Sequence, residues 1–227
     1  MNMAINKINT SIDCVIFGFQ NAVLKVLLIK RNNEPSKGVM ALPGDFIGLD
    51  EDIDDSATRA LHKITNLTDI YLEQIRAFGA KNRFPKERVI TIGYYALINI
   101  EKYKPMPGHT AERLEWCNVH DLPVLAFDHK QIVDAAMAIL KRKVRHEPVG
   151  FNLLPDIFSI TELQQLYEAV LNTELNKRNF RTKLAQMKLL IDTGKKQENV
   201  SHKPAQLYRF DEKVYKDLID QGFYFKL

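Results

Sequence analysis

The chain has 227 residues, 45% of them hydrophobic and 26% charged, with a formal net charge of +4. That composition excludes disordered, collagen-like and disulfide-scaffold classes, and the length accommodates two compact domains. A net of +4 is too small to name a partner, so the distribution of charge has to do so.

Residues 1–10 carry polar Asn and Lys throughout, and the apolar run 14–19 is too short for a membrane span or a signal core, so a cytoplasmic protein is expected. Residues 12–19 and 23–29 are β-branched and apolar around Gln20-Asn21-Ala22, which predicts a hairpin. Cys14 within that run and Cys117 beside Trp116 have no metal-ligand spacing and are read as core. A polar loop with Pro35 and Gly38 delivers the chain to residues 39–44, a strand entering a glycine turn. Asp54 or Asp55 is expected to cap a helix ending near Thr65, with Ala57, Ala60, Leu61 and Ile64 on one side. Strands 71–78 and 89–100 flank a polar loop carrying Arg83 and Arg88. A loop around Pro105, Pro107 and Gly108 then runs on to Leu122-Pro123, and Asp128 opens a long helix ending near Arg145.

Residues 147–150 break that helix, and the pattern becomes helical with a short strand-rich tail. The division expected is 1–125, a connecting segment 126–150, and 151–227. Residues 158–160 are a short strand, and Thr161 is expected to cap a helix through Leu171 with Leu163, Leu166, Tyr167 and Val170 inward. After a polar turn, Asn176 caps a second helix, 177–188, with Phe180, Leu184 and Met187 inward. Residues 189–191 and 205–210 read as strands joined by a polar, basic loop at 194–204.

Charge gathers in this tail. Residues 176–209 hold nine Lys or Arg against two acidic residues. Two helices joined by a short turn suggest helix-turn-helix. Lys177, Arg178, Asn179, Arg181, Thr182 and Lys183 on the second helix combine phosphate-pairing cations with groups that read base edges. Lys195, Lys196, His202 and Lys203 in the following loop suit phosphate contact, which fixes register and gives salt-dependent affinity.

Leu42-Pro43-Gly44, followed by Glu51 and Arg59, resembles the Nudix signature of pyrophosphatases. That register puts Asp45 at the signature's first glycine, Glu51 and Arg59 at its Glu and Arg, and Leu61 and Leu67 at its apolar positions. It also puts Ala60, Lys63 and Ile64 where the helix carries glutamates, and Asn66 at the second glycine. Those glutamates bind hard divalent ions that neutralise a diphosphate and activate water. With Lys63 and Ile64 in their place, no metal, no cofactor and no catalytic residue is expected. Glu51 and Arg59 are expected to form a structural ion pair.

Residues 125–129 (Leu-Ala-Phe-Asp-His), 152–155 (Asn-Leu-Leu-Pro), 158–164 and 178–181 (Arg-Asn-Phe-Arg) resemble the Nudix-related transcriptional regulators over nearly the whole chain. The resemblance implies an α+β protein, a Nudix-like α/β/α sandwich with a mixed sheet followed by a winged helix. It also implies a homodimer on a palindromic double-stranded DNA operator, answering to ADP-ribose or to a sugar such as a pentose. Loss of the carboxylates tilts the effector expectation towards a sugar or sugar phosphate, with Arg76, Arg83 and Arg88 as candidate ligand groups. The alternative reading is a divergent Mg2+-dependent pyrophosphatase acting on nucleoside diphosphate derivatives.

Overall fold

The computed structural model describes residues 8–108, 110–198, 203–223 and 225. The chain divides into two compact units: Met1–Gly18, Lys25–Ile98 and Tyr103–Met137 in one, Phe19–Leu24, Asn99–Lys102 and Ala138–Leu227 in the other.

The first unit is built on strands β1 (Asn9–Gln20), β2 (Val23–Arg31), β3 (Met40–Ala41), β4 (Gly44–Phe46), β5 (Glu73–Phe78), β6 (Val89–Ile98) and β7 (Ala111–Asn118). The sheet runs β3-β2-β1-β6-β5, with β4 adding to β1 and β7 to β2. β1 and β6 are parallel from Asn9 opposite Val89 to Gly18 opposite Ile98, whereas β4, β3, β7 and β5 join their partners antiparallel. The expected hairpin is present. Asn21 and Ala22 both take left-handed backbone angles, the turn geometry that matches strand twist.

β1 is the centre of the unit, buried without a break from residue 12 to 18. Helix α1 (Ile53–Thr65) lays Ala57 and Leu61 on Ile12, Cys14 and Ile16 of β1 and on Tyr94 and Ala96 of β6. Alternation sends Asp13, Val15 and Phe17 to the other face. Helix α2 (His129–His146) comes close there, since a Cβ on Gly93 of β6 would lie 3.2 Å from Ile132. This is the expected α/β/α sandwich with a mixed sheet.

Some local expectations are corrected. α1 begins at Ile53, with Asp52 at the cap position and Asp54 and Asp55 inside the first turn, where carboxylates favour the helix dipole. The stretch read as loop after Gly108 contains β7, paired with β2 from Asn118 opposite Lys25 to Ala111 opposite Arg31. Its exposed Glu112, Arg113 and Glu115 masked the two-residue alternation.

The C-terminal end of α1 is closed by distant chain. Met106 donates its backbone N–H to Thr65 O, and Gly108 to Ile64 O, both at 2.9 Å, satisfying carbonyls that a helix end leaves open. Asn66, at the signature's second glycine, stands at φ 56° and bonds back to His62 O, a left-handed cap that asparagine tolerates. Gly108 is packed so closely that an added Cβ would sit 2.0 Å from Lys63 O.

The second unit holds a 3-10 turn (Pro148–Leu153), β8 (Phe158–Ser159), α3 (Ile160–Leu171), α4 (Lys177–Met187), β9 (Leu190–Lys196), β10 (Gln206–Phe210) and α5 (Glu212–Asp220). Its three-stranded sheet runs β8-β10-β9, and two helices precede the β9–β10 hairpin: a winged helix. Phe151 stacks on Phe210 at 4.2 Å between ring centroids, and Tyr167 meets Phe180 edge-on at 5.7 Å. α3 starts earlier than expected: Ser159, not Thr161, is its cap, with a reciprocal capping box to Glu162. Lys195 and Lys196 lie within β9 rather than in the loop, because the strand runs on past Gly194. His202 falls outside the described residues. α5, capped by Asp211, was not anticipated.

Gly108→Ala should cost about 1–3 kcal/mol, the usual range for overpacking, because the clash is with backbone that cannot turn aside. A thermal melt showing no change in Tm would disprove this account of the α1 terminus.

Candidate functional site

The degenerate box is an internally compensated ion cluster. Arg59 grips Glu51 through Nε (2.8 and 3.1 Å) and Nη2 (2.6 Å), and donates to Asp45 Oδ2 (2.9 Å) and Phe46 O (2.8 Å). Lys63 Nζ donates to the same Asp45 oxygen at 2.8 Å. Two cations therefore match two carboxylates at the place where the signature gathers unpaired carboxylates around a metal. Hydrogen bonds from Arg59 hold the Glu51 carboxyl down at about 2, helped by the Gly48 N–H at 2.6 Å. Burial works to raise the Asp45 pKa, but hydrogen bonds from Lys63 and Arg59 bring it below the ordinary value. No group of three His, Cys, Asp or Glu fit to hold a metal occurs among the described residues. The donor set present does not suit the divalent ion that the signature would bind.

Beside this cluster, Asp45 and Phe46 form part of a cleft that also takes in Asp13, Arg31, Arg83, Phe84, Phe127 and His129. Its wall is aromatic: Phe84 lies 6.5 Å from Phe46 and 5.1 Å from Phe127, and the Arg31 guanidinium sits 5.2 Å above the Phe127 ring. Its floor is ionic and buried. Arg83 donates to Asp128 through Nε (3.0 Å) and Nη2 (2.8 Å), and to Asp13 at 3.2 Å, while Thr91 donates its hydroxyl to Asp13 at 2.8 Å. Flat apolar walls with polar groups beneath them suit a small ligand that has a ring and several hydroxyl or phosphate oxygens.

His129 completes the floor. Its Nδ1 accepts the Leu42 backbone N–H at 2.9 Å, which leaves the proton of the neutral ring on Nε2, 3.4 Å from Asp13 Oδ1. Burial lowers its pKa below 6.5, against the pull of Asp13.

Only one of the three arginines expected at the ligand site lines this cleft. Arg83 does, but it is 7% exposed and its donors are directed to Asp13 and Asp128. Arg76 lies on β5 with its guanidinium 4.1 Å above Phe78. Arg88 is half-buried away from the cleft, its Nη1 without a hydrogen-bond partner. Asp13 and Thr91 were not singled out, and Asp128 and His129 entered only through the stretch 125–129 and the helix start, not as site residues. One signal was available: a carboxylate inside the apolar run of β1 must find a partner if the strand is buried on both faces.

In the second unit α4 turns Phe180, Leu184 and Met187 inward, and Lys177, Arg178, Asn179, Arg181, Thr182 and Lys183 all lie exposed, as expected. Asn176 caps the helix by accepting from the Asn179 N–H at 3.0 Å. The turn before it is locked by Gln164, which donates to Glu168 (2.9 Å) and Leu175 O (3.0 Å), while Glu168 accepts from Leu175 N–H (2.9 Å). A basic helix is thus presented at a fixed angle, with Lys195, Lys196 and Lys203 exposed on the adjoining hairpin.

Two family models match the chain: a NUDIX domain over residues 7–136 and an NrtR DNA-binding winged helix domain over residues 150–210. An ADPR responsive transcriptional repressor of Acinetobacter baylyi is 36% identical over 205 residues, spanning 88% of this chain and 81% of that one. The chain belongs to the Nudix-related transcriptional regulators. Shewanella oneidensis NrtR complexed with a 27mer DNA superposes with a TM-score of 0.76 at 29% identity, covering 91% of this chain and 95% of that one. The NUDIX domain of the same protein, complexed with ADP ribose, matches at TM-score 0.56 and 29% identity over 62% of this chain and 93% of that one. A Nudix domain thus precedes a DNA-binding winged helix domain in this chain.

Arg83→Ala should destabilise the first unit by about 3–5 kcal/mol, since it leaves two buried carboxylates without their cation. Denaturant unfolding checks this, and a loss below about 1 kcal/mol would show that Arg83 is not the keystone of the floor. The pH dependence has a definite sign. The unfolded chain binds a proton at His129 more readily than the folded one, so stability is held above pH 6.5 and falls as pH drops below it. Glu51 adds a second loss of the same sign between 4.5 and about 2. Melts across a pH series should show the first decline, flattened in His129→Gln.

Proposed function

We propose that this regulator binds operator DNA through α4 and the β9–β10 hairpin, and that its Nudix domain senses ADP-ribose without hydrolysing it. The observation that carries the non-catalytic part is the Asp45–Arg59–Glu51–Lys63 cluster, in which both carboxylates are already paired with cations. An approaching divalent ion would meet the Lys63 ammonium and no unpaired carboxylate. The relatives favour the nucleotide-sugar end of the expected effector range over a simple sugar: one is named for its ADPR response, and another is complexed with ADP ribose. The aromatic cleft offers faces for a ring and Arg31 for an anionic oxygen. Effector binding shifts the balance between two states of a homodimer on a palindromic site, in the cytoplasm, and so changes DNA affinity.

Mobility shift on the DNA upstream of the protein's own gene tests the first part. Binding should weaken at higher salt and in Arg178→Ala, and added ADP-ribose should alter it; no binding at either salt concentration would defeat the reading. The second part is tested by incubating the protein with ADP-ribose and Mg2+. No turnover is expected, whereas Mg2+-dependent hydrolysis abolished by Glu51→Gln would establish a pyrophosphatase instead.

A further inference from the structure

α4 does not present all its polar residues to the same partner. Phe180, Leu184 and Met187 define its buried stripe. At 3.6 residues per turn, Arg178 and Thr182 fall opposite that stripe, with Gln186 close by on the same side. Arg181 falls on one flank. There it borders a groove of about 630 Å3, whose other walls are the first turns of α3, with Thr161 and Gln165, and the hairpin, with Lys203 and Gln206. The groove belongs wholly to the winged-helix unit.

Its lining is suited to an anion. Arg181 and Lys203 bring cations from two different elements, and Thr161, Gln165 and Gln197 bring neutral hydrogen-bonding groups, while the Gln206 amide donates to Asp192. The one carboxylate in the lining, Glu162, is drawn back into the capping box, where it accepts the Ser159 N–H at 2.7 Å. Nothing in the lining reads as a base-edge pocket: donors come from three elements around an open channel rather than from one planar, bidentate group.

We propose that this groove seats the phosphate backbone of one DNA strand, with Thr161 and Arg181 as its contacts, while Arg178, Thr182 and Gln186 face the bases. Arg181 is then a positioning contact without sequence preference, and Arg178 is the discriminating one. The inference rests on the DNA-binding reading above, and it adds which residue of the helix takes which part.

Fluorescence anisotropy with full-length protein separates the two roles. The probes are the segment upstream of the protein's own gene and a shuffled duplex of equal length and composition, each titrated across a salt series. Arg181→Gln should weaken both duplexes by the same factor and reduce the slope of log affinity against log salt by about 1, the signature of one lost phosphate contact. Arg178→Gln should reduce the preference for the upstream segment. Thr161→Glu places a carboxylate in the groove at a helix position where acidic residues are favourable, so the fold is retained, and it should weaken both duplexes alike. A loss of preference in Arg181→Gln with the salt slope unchanged, or full binding in Thr161→Glu, would overturn the assignment. Failure of the wild type to bind either duplex would instead strike the DNA-binding reading itself.

Discussion

The first unit depends on a single buried guanidinium. Arg83 lies in the loop between β5 and β6, yet it is held by Asp13 on β1 and by Asp128 at the start of α2. Taking two carboxylates and a cation out of water is costly, and removing one member is costlier than replacing the set by apolar residues. Such a network adds little net stability by existing, but it ties β1, the β5–β6 loop and the start of α2 to one another. That linkage gathers the loop carrying Phe84, the turn carrying Phe127 and the edge of β1 around one cleft. His129 fits the same logic: burial lowers the pKa of its ring, and its Nδ1 accepts the Leu42 N–H.

The degenerate box solves a related electrostatic problem on the exposed side of the cleft. Without a cation between them, Asp45 on β4 and Glu51 just before α1 would stand close together as uncompensated charge. Here Arg59 bridges them, and Lys63 adds a second cation to Asp45. These pairs are partly exposed, so solvent screens them and they add little stability. Their consequence is chemical rather than stabilising. Two cations against two carboxylates leave the cluster's four charges balanced, with Asp45 and Glu51 already accepting from Arg59 and Lys63.

Most of the architecture was legible in the sequence because it is carried by local periodicity. The β1–β2 hairpin, α1, α2 and the α3–α4 pair all declare themselves through spacing and caps, and Asn176 was placed correctly at a helix start. β7 escaped because its charged residues interrupt the apolar alternation, and Ser159 lost to Thr161 because a hydroxyl at either position looks the same until the strand before it is located. The candidate site was legible only in part. The Glu51–Arg59 pair followed from register, but Asp13, Arg83 and Asp128 are separated by 70 and 45 residues, and no local pattern links them. Arg83 was expected among the ligand groups from its polar loop; only the fold shows that it is buried against Asp13 and Asp128.

The winged-helix unit carries the same lesson about position over composition. Its cations are dense along one stretch of sequence, yet what distinguishes them is where each side chain stands relative to the buried stripe of α4. That stripe is held in place by Gln164 and Glu168, which tie the end of α3 to the turn at Leu175. A buried amide that satisfies both a carboxylate and a backbone carbonyl makes the angle between the two helices a fixed quantity rather than an average. With the angle fixed, a flank residue such as Arg181 meets a groove while its neighbour three positions earlier meets open solvent. A helix with freer orientation would blur the two into one general attraction for polyanions, and selectivity among sequences would go with it.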